Sequence, residues 1–377
     1  MEGDHIKICH WLTPLSWLYG LGVDIRNAMF DCGMLPSEKF DVPVISVGNI
    51  TVGGSGKTPH TEYLVRLLRD KYQVAILSRG YKRKSKGFQF VDADTMADFV
   101  GDEPFQMKRK YPEAHVAVDK DRRNGIRNLL NPNVKPPVEL VVLDDAFQHR
   151  YVTPDVNLLL MDYHRLICFD RLLPAGRLRE PASNKRRADI VVVTKCPRSI
   201  TPMEQRGIER SLALFPWQKL YFTYFKYGSL YPLFDKSKGE LTLESIKGGS
   251  KSGKKVLLLT GIASPEQLEY DIDQYVDFES MHFGDHHSFT SEDLRKIEET
   301  FKGMDGNDKM IITTEKDAVR LLDCNIEESV AKHIYVLPIE VEFMNGKAGD
   351  FNKTIIDYVR KNSRNGSVLK RKNDRKA

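Results

Sequence analysis

The chain has 377 residues, 41% of them hydrophobic and 29% charged, which is typical of a folded protein with room for two domain cores. Its formal net charge of +5 is too small for this length to indicate a nucleic-acid-binding protein. The excess of positive charge is local. Residues 361–377 contain seven basic side chains and one acidic side chain, whereas the other 360 residues contain 50 basic and 51 acidic side chains. We expect this basic tail, which has almost no apolar content, to be disordered.

The cysteines argue against a disulfide framework or a zinc site. All five lie far apart, with no C-x-x-C pair and no histidine at metal-ligand spacing. No segment reaches the roughly 18 consecutive apolar residues of a membrane span, and the N-terminus lacks a signal-peptide cleavage pattern. We therefore expect a protein of the reducing cytoplasm that does not cross a membrane. Nothing in the sequence indicates a nucleic-acid partner or an obligate protein partner.

A first amphipathic helix is predicted over residues 11–29. Its apolar side chains recur at steps of three and four, in the order Trp11, Leu15, Leu18, Gly22, Ile25 and Met29. Packing on the core is the commoner outcome for such a stripe. A position in a membrane interface is the alternative, and it is favoured by two tryptophans, a tyrosine and few charges.

Short apolar runs after Asp41 predict buried strands that alternate with helices or loops. The runs are VPVISV, QVAILS, AHVAV, VELVVLDD, VNLLLMD and DIVVVTK. This alternation predicts an α/β fold, with a doubly wound and mostly parallel sheet. The second half repeats the alternation as a smaller α/β domain, and a final helix is expected over residues 351–360. The expected divisions are an N-terminal helix (1–36), a first domain (37–218), a second domain with linker strands (219–343) and a C-terminal helix and tail (344–377).

A glycine-rich turn between the strand VISV and an apolar helix has the sequence context of a phosphate-binding loop. Backbone N–H groups and a helix N-terminus hold an anion there, while Lys57 neutralises phosphate charge and Thr58 ligates magnesium. Thr51 stands where the usual motif has its first glycine. A turn without a ligand is the alternative. The predicted nucleotide-binding loop consists of Thr51, Val52, Gly53, Gly54, Ser55, Gly56, Lys57 and Thr58.

Three sequence features refine this prediction. The apolar strand VELVVLDD ends in Asp144 and Asp145, and either carboxylate could hold a magnesium ion beside the loop; a solvated strand end is the alternative. VVVTKCP stands where GTPases carry N-K-x-D, so a GTPase is disfavoured. The segment GGSKSGK at 248–254 leads into a strand, so it does not have the geometry of a phosphate-binding loop.

A kinase also needs a group that activates the acceptor. Asp102 in GDEP and His286 in FGDHHSF are the candidates, although Asp102 could be a helix N-cap and His286 an exposed loop histidine. Basic clusters in SRGYKRKSKG, VDKDRRNG and RLLPAGRLREP follow predicted strands. Either they are solvated loop charges, or they face one crevice and favour a phosphorylated acceptor.

These motifs, taken in order, resemble the tetraacyldisaccharide 4'-kinase family, the lipid A 4'-kinases of bacteria with an outer membrane. The resemblance extends from about Trp11 to Val341 and also includes TGIASP and TTEKDAVRL. It implies transfer of the ATP γ-phosphate to the 4'-hydroxyl of a lipid-linked glucosamine disaccharide 1-phosphate, at the cytoplasmic face of the inner membrane. It also favours a monotopic N-terminal helix that rests on the membrane surface.

The resemblance implies roles for individual residues. Lys57 and Thr58 would hold phosphates and magnesium, with Asp144 and Glu180 on the metal side. Asp102 would act with His286 on the acceptor hydroxyl, and Asp145 would support them. The implied acceptor-binding residues are Arg79, Tyr81, Arg122, Gln148 and His149. The chain departs from the family at Ala146, where glycine is common, and in its charged tail.

The family's architecture implies two α/β domains joined by a two-stranded linker, which we place at Leu220–Tyr227 and Val336–Phe343. Two other functions are compatible with a phosphate-binding loop. A membrane-associated ATPase or nucleotide-dependent switch would turn over ATP without a lipid acceptor. A nucleic-acid-binding ATPase would bind through its basic tail in a salt-sensitive manner.

Overall fold

The structure is a computed structural model. It describes residues 8–92, 94–235, 237–247, 255–262, 265–284, 287–306 and 308–373, with side chains to residue 362. Two sequence predictions, for His286 and for the segment 248–254, lie outside the described residues.

The described helices and strands are as follows. The α-helices are α1 Thr13–Asp31, α2 Lys57–Leu68, α3 Ala97–Val100, α4 Asp102–Lys110, α5 Arg122–Leu129, α6 Pro202–Leu212, α7 Glu266–Asp273, α8 Ser291–Gly303, α9 Glu315–Leu321, α10 Glu328–Ala331 and α11 Ala348–Asn373. The strands are β1 Val44–Gly48, β2 Val74–Ser78, β3 Gln89–Phe90, β4 His115–Val118, β5 Leu140–Asp144, β6 Val156–Asp162, β7 Ile190–Thr194, β8 Lys219–Tyr227, β9 Tyr231–Pro232, β10 Lys255–Thr260, β11 Phe278–His282, β12 Lys309–Thr314, β13 Ile334–Leu337 and β14 Ile339–Phe343.

A nine-stranded sheet forms the centre of the first domain, in the order β14-β8-β7-β6-β1-β5-β2-β4-β3. The strands from β8 to β4 are parallel, and the outermost strands β14 and β3 are antiparallel to their neighbours. Strands β1, β2, β5 and β7 are buried along their whole length, as expected for a sheet with cover on both faces. The predicted α/β fold class and the six predicted strands of this sheet are confirmed.

A second, five-stranded sheet has the order β11-β10-β12-β13-β9, with β9 antiparallel to β13. The chain enters this domain after β8 and returns through β14, and these two strands pair antiparallel, with Ile339 opposite Tyr227. They overlap the segments predicted as a linker, although the second of these, Val336–Phe343, begins in β13. Because β8 also pairs with β7, the first sheet continues to Tyr227, beyond the boundary expected at residue 218.

The last helix is longer than expected. Helix α11 runs to Asn373, whereas the sequence predicts a helix that ends near Arg360 and a disordered tail. No proline interrupts residues 361–373, and a single glycine does not end a helix by itself. Phe351, Ile355 and Val359 are buried in the core of the first domain, so the N-terminal part of α11 packs against the nine-stranded sheet.

Helix α1 docks on the first domain through small and polar side chains. The Ser16 hydroxyl donates to the Leu172 carbonyl at 3.0 Å. A Cβ at Gly20 would lie 2.7 Å from Leu172 Cδ1, so glycine lets the helix approach this loop without displacing the leucine side chain. Phe30, at the C-terminal end of the helix, is buried and packs edge-on against Tyr151.

The apolar stripe of α1 faces away from the protein. Trp11 is 80% exposed, Trp17 is 73% exposed and Leu18 is 67% exposed. Leu15, Leu21 and Ile25 are exposed as well. The alternative in which this stripe packs on the core is therefore wrong, because the helix buries a different face; the membrane-interface position stays a prediction. In the part of the chain that the structure describes, no helix has the length and apolarity to span a membrane.

Candidate active site

The glycine-rich turn joins β1 to α2 and leaves the N-terminus of α2 open. Gly56 precedes the helix in a left-handed conformation, with φ +76°, and Gly53 has φ +116°. A Cβ at Gly56 would lie 2.9 Å from Phe225 Cζ, so this position requires glycine for space as well as for conformation. The first N–H groups of a helix have no intrahelical partner, so they offer an anion-binding site here.

Neighbouring loops hold the glycine-rich turn in place. The Val52 N–H donates to the Arg177 carbonyl at 2.8 Å, and the Thr194 hydroxyl donates to the Ser55 carbonyl at 3.0 Å. Thr51 is buried, and its hydroxyl accepts from Asn49 Nδ2 at 3.2 Å. Threonine at this position therefore supplies a hydrogen-bond partner that the usual glycine lacks.

His60 supports the turn from inside α2. The Nδ1 of its buried ring lies 2.7 Å from the Gly56 carbonyl oxygen, and Nε2 lies 3.1 Å from Thr223 Oγ1. Burial lowers the pKa of His60 to about 4. The ring is therefore neutral at pH 7, and it donates through Nδ1 because a carbonyl only accepts. Sequence analysis missed this residue, since only its position directly after GKTP marked it.

Asp144 ends β5 inside the protein. It is 1% exposed, and its carboxylate accepts from the Thr61 hydroxyl at 3.2 Å and from the Ser78 hydroxyl at 3.5 Å. Burial, followed by the charge of Asp145, raises the pKa of Asp144. This carboxylate is fixed beside the glycine-rich turn, as the sequence predicts.

Asp145 turns toward the lysine of the loop. Its backbone is left-handed, with φ 47°, which is uncommon for a residue other than glycine. Its Oδ1 lies 3.7 Å from Lys57 Nζ, and its Oδ2 lies 3.5 Å from Arg179 Nη1. The structure therefore brings together Lys57 and both aspartates of the predicted site.

Arg122 differs from its expected role as an acceptor-binding residue. It is only 2% exposed, and its guanidinium donates to the carbonyls of Asp119 at 3.0 Å and Asp144 at 3.1 Å. Burial lowers its pKa to about 10. The side chain points into the protein, so Arg122 supports the turn that carries the two aspartates and does not present its charge to the crevice.

The other predicted acceptor-binding residues follow neighbouring strands. Arg79 and Tyr81 are exposed on the loop after β2, and Gln148 and His149 follow β5. Because β1, β2 and β5 are adjacent and parallel, these loops lie along one edge of the sheet with the glycine-rich turn. Burial and the charge of Arg122 lower the pKa of His149 to about 4, so its ring is neutral at pH 7.

Asp102 is the first residue of α4, and Gly101 occupies the N-cap position. The N-cap interpretation of Asp102 is therefore wrong. Its Oδ2 accepts hydrogen bonds from Arg320 of the second domain, from Nη2 at 2.5 Å and from Nε at 3.1 Å. Sequence analysis did not single out Arg320, because nothing in the local pattern of TTEKDAVRL indicates a contact with another domain.

Glu103, next to Asp102, is a further carboxyl group that the sequence analysis missed. Burial, and then the charge of Asp144, raises its pKa to about 7, while Lys57 lowers it. The N-cap of the same helix, Gly101, lies against the loop after β2, since a Cβ there would be 3.2 Å from the Tyr81 carbonyl oxygen. The position of Glu103 inside the GDEP motif was the available signal.

The residues present fit a magnesium ion only in part. Among the residues that the structure describes, no group of three or more His, Cys, Asp or Glu side chains could hold a metal ion. Glu180, a predicted ligand, pairs with Arg187 and accepts from Asn184 at 3.0 Å through Oε2, and its ligand role stays a prediction. Glu180 Oε1 and Asp145 Oδ1 are buried and accept no hydrogen bond from the described residues, as expected of oxygens open to a cation, although Asp145 Oδ1 also faces Lys57 Nζ at 3.7 Å. One or two carboxylates suffice when phosphates and water complete the shell of magnesium.

A parallel α/β sheet with this loop, its lysine and two carboxylates is characteristic of a P-loop nucleotide-binding protein. Residues 8–360 match the model of the family described as Tetraacyldisaccharide-1-P 4'-kinase, and the chain belongs to this family of kinases. The resemblance found in the sequence is thereby confirmed.

Relatives with the name tetraacyldisaccharide 4'-kinase match along the whole chain. The protein from Phocaeicola vulgatus is 55% identical, over 97% of this chain and 100% of its own length. The protein from Bacteroides fragilis is 50% identical, over 100% of both chains. A crystal structure of LpxK from Aquifex aeolicus in complex with ATP has a TM-score of 0.70 and 30% identity, and the match covers 93% of this chain and 99% of that one.

The buried histidine predicts a pH dependence of stability. His60 takes up a proton near its ordinary pKa of 6.5 when unfolded but only near 4 when folded, so the free energy of unfolding should fall as the pH drops through this interval. The loss attributable to His60 is about 3 kcal/mol. The free energy of unfolding, measured by urea unfolding between pH 7.5 and 4.5, should fall less steeply with decreasing pH for His60→Gln than for the parent. Substitution of the exposed His164 by Gln is the control, and equal slopes for parent and His60→Gln would contradict the prediction.

Proposed function

We propose that the protein transfers the γ-phosphoryl group of ATP to the 4'-hydroxyl of a tetraacyldisaccharide 1-phosphate, a step in lipid A biosynthesis. Membership of the kinase family and the relative crystallised with ATP support this proposal. The observation that carries it is the ion pair at the phosphate-binding turn, where Lys57 Nζ lies 3.7 Å from Asp145 Oδ1. Asp102, the proposed acceptor-activating carboxylate, begins the helix whose N-cap, Gly101, approaches the Tyr81 carbonyl of the loop after β2.

In the proposed reaction, the acceptor oxygen forms a bond to the γ-phosphorus as the bond from this phosphorus to the β,γ-bridging oxygen breaks. The electron pair of the broken bond leaves with ADP, and the hydroxyl proton passes to Asp102. Lys57 offsets the negative charge on the phosphates, and Asp145 holds the lysine ammonium near its working position. The participation of His286 stays a prediction.

We further propose that Thr58 and Asp144 hold a magnesium ion, with Asp145 at the same edge of the sheet. A bound magnesium ion supplies positive charge to the phosphate oxygens. The protein's own part is to fix these oxygen ligands: Thr61 and Ser78 hold the Asp144 carboxylate, and Arg122 holds its backbone carbonyl.

We also propose that α1 lies in the interface of the bacterial inner membrane, on its cytoplasmic face. The exposed tryptophans and leucines support this position. The helix also contacts the proposed acceptor loops: the Tyr19 hydroxyl donates to the Arg179 carbonyl at 2.8 Å, and Arg26 donates to the Gln148 carbonyl at 3.2 Å. A lipid whose acyl chains stay in the bilayer would therefore present its sugar next to these loops.

An activity assay tests the kinase proposal. Incubation with labelled ATP, magnesium and a tetraacyldisaccharide 1-phosphate should yield a 4'-phosphorylated lipid, detected by chromatography. Asp102→Asn should lower kcat by roughly 10²- to 10⁴-fold, the usual contribution of an acid–base group, with ATP binding retained. Asp98→Asn is the control, since this exposed carboxylate precedes α4. A rate of ATP hydrolysis that depends neither on the lipid acceptor nor on the substitution of Asp102 would instead favour the ATPase or nucleotide-dependent switch.

A vesicle-binding assay tests the membrane proposal. Deletion of α1 would expose buried contacts such as Phe30, so substitution of exposed residues is the sharper experiment. Trp17→Ser with Leu18→Ser should weaken binding to anionic phospholipid vesicles by at least about 100-fold, since the two buried side chains together contribute about 3–6 kcal/mol. Phe215→Ser with Trp217→Ser removes an exposed aromatic pair elsewhere and should leave binding unchanged. Equal binding by both variants would overturn the proposal.

A further inference from the structure

Two helices from different domains pack antiparallel, with an ion pair at each end. At one end, Arg320 of α9 binds Asp102 at the start of α4. At the other end, Glu315 of α9 lies 2.8 Å from Lys110 at the end of α4. The contact fixes the second domain directly on the residue that the proposed reaction uses as its base.

The Arg320 side chain is held on several sides. It is only 8% exposed, and two of its nitrogens converge on Asp102 Oδ2. Its Nη1 lies 3.6 Å from Asp317 Oδ1 and 3.4 Å from the His287 carbonyl. A planar guanidinium fixed in this way specifies the direction of the carboxylate it binds, which a flexible lysine ammonium does not do as well.

Asp317 in turn is tied to the second sheet. Its side chain is fully buried, and Oδ2 accepts from the Gly261 N–H at 2.9 Å and from the Thr314 hydroxyl at 2.7 Å. A Cβ at residue 261 would lie 2.7 Å from Asp317 Oδ1, so glycine allows this approach. Residues at the ends of β10 and β12 thus hold Asp317, which lies beside Arg320.

We propose that Arg320 is a positioning residue for the phosphoryl transfer, which turns the Asp102 carboxylate toward the acceptor hydroxyl. The inference rests on the proposed function. It makes the second domain part of the acceptor-activating machinery through a side chain that contacts the base. In the proposed function the nucleotide phosphates bind at the turn in the first domain. Substitution of Arg320 should therefore lower kcat and have little effect on KM for ATP.

Steady-state kinetics of three variants test the role, with ATP and lipid acceptor varied separately. Arg320→Met should lower kcat at least tenfold and change KM for ATP less than threefold. Arg320→Lys should have a kcat between those of Arg320→Met and the parent, because lysine keeps the positive charge but not the pair of guanidinium N–H donors. Added guanidinium ion should restore activity to Arg320→Ala, a result that a merely structural role would not produce.

Glu315→Gln is the matched control, because it removes the ion pair at the other end of the same two helices. Lys110 keeps its partner Glu62, at 2.6 Å, in this variant. We expect kcat close to that of the parent, and thermal melts report folding of each variant. Should Arg320→Met not fold, Arg320→Lys carries the test, with a kcat below that of the parent at a similar Tm.

Several outcomes would overturn the inference. A parental kcat in Arg320→Met, or an equal loss in Glu315→Gln, would show that Arg320 does not act through Asp102. A higher kcat would show that Arg320 competes with the acceptor. Failure of the proposed function is distinguishable, because then the parent itself forms no 4'-phosphorylated lipid. Loss of kcat in Asp102→Asn without any loss in Arg320→Met would remove the positioning role alone.

Discussion

Helix α2 has to begin where β1 ends, with its first N–H groups directed into a crevice, and the whole site depends on this constraint. Such groups have no partner within the helix, and an anion satisfies them. Gly56 makes the arrangement sterically possible, since its left-handed backbone and its contact with Phe225 exclude a side chain. The parallel sheet then sets the loops after β2 and β5 along the same edge, so binding groups from distant parts of the chain meet there.

Several carboxyl groups lie near Lys57. Asp145 Oδ1 is 3.7 Å from its ammonium, and Asp144 and Glu103 interact with it electrostatically. Burial raises the pKa of both Asp144 and Glu103. Carboxylates this close would repel a bare triphosphate. The proposed magnesium ion would remove this conflict, because carboxylates that repel a bare triphosphate would serve as ligands of a cation that arrives with it.

The sequence predicts most of the fold because its strands are short, apolar and buried on both faces. The phosphate-binding turn is equally local, since one run of eight residues contains it. Contacts between distant segments are not encoded in this way. The inward direction of Arg122, the burial of His60 and the pairing of Arg320 with Asp102 depend on packing. Periodicity identifies the apolar stripe of α1 but not whether that stripe meets the core or the surroundings.

The contact between α1 and the acceptor loops has a kinetic consequence under the proposed membrane association. The Tyr19 and Arg26 hydrogen bonds fix the height of the crevice relative to the exposed tryptophans. An enzyme held at that height encounters its acceptor by lateral diffusion within one leaflet. Its rate then depends on the mole fraction of acceptor in the bilayer, so dilution with inert lipid slows turnover even when the bulk concentration of acceptor is constant.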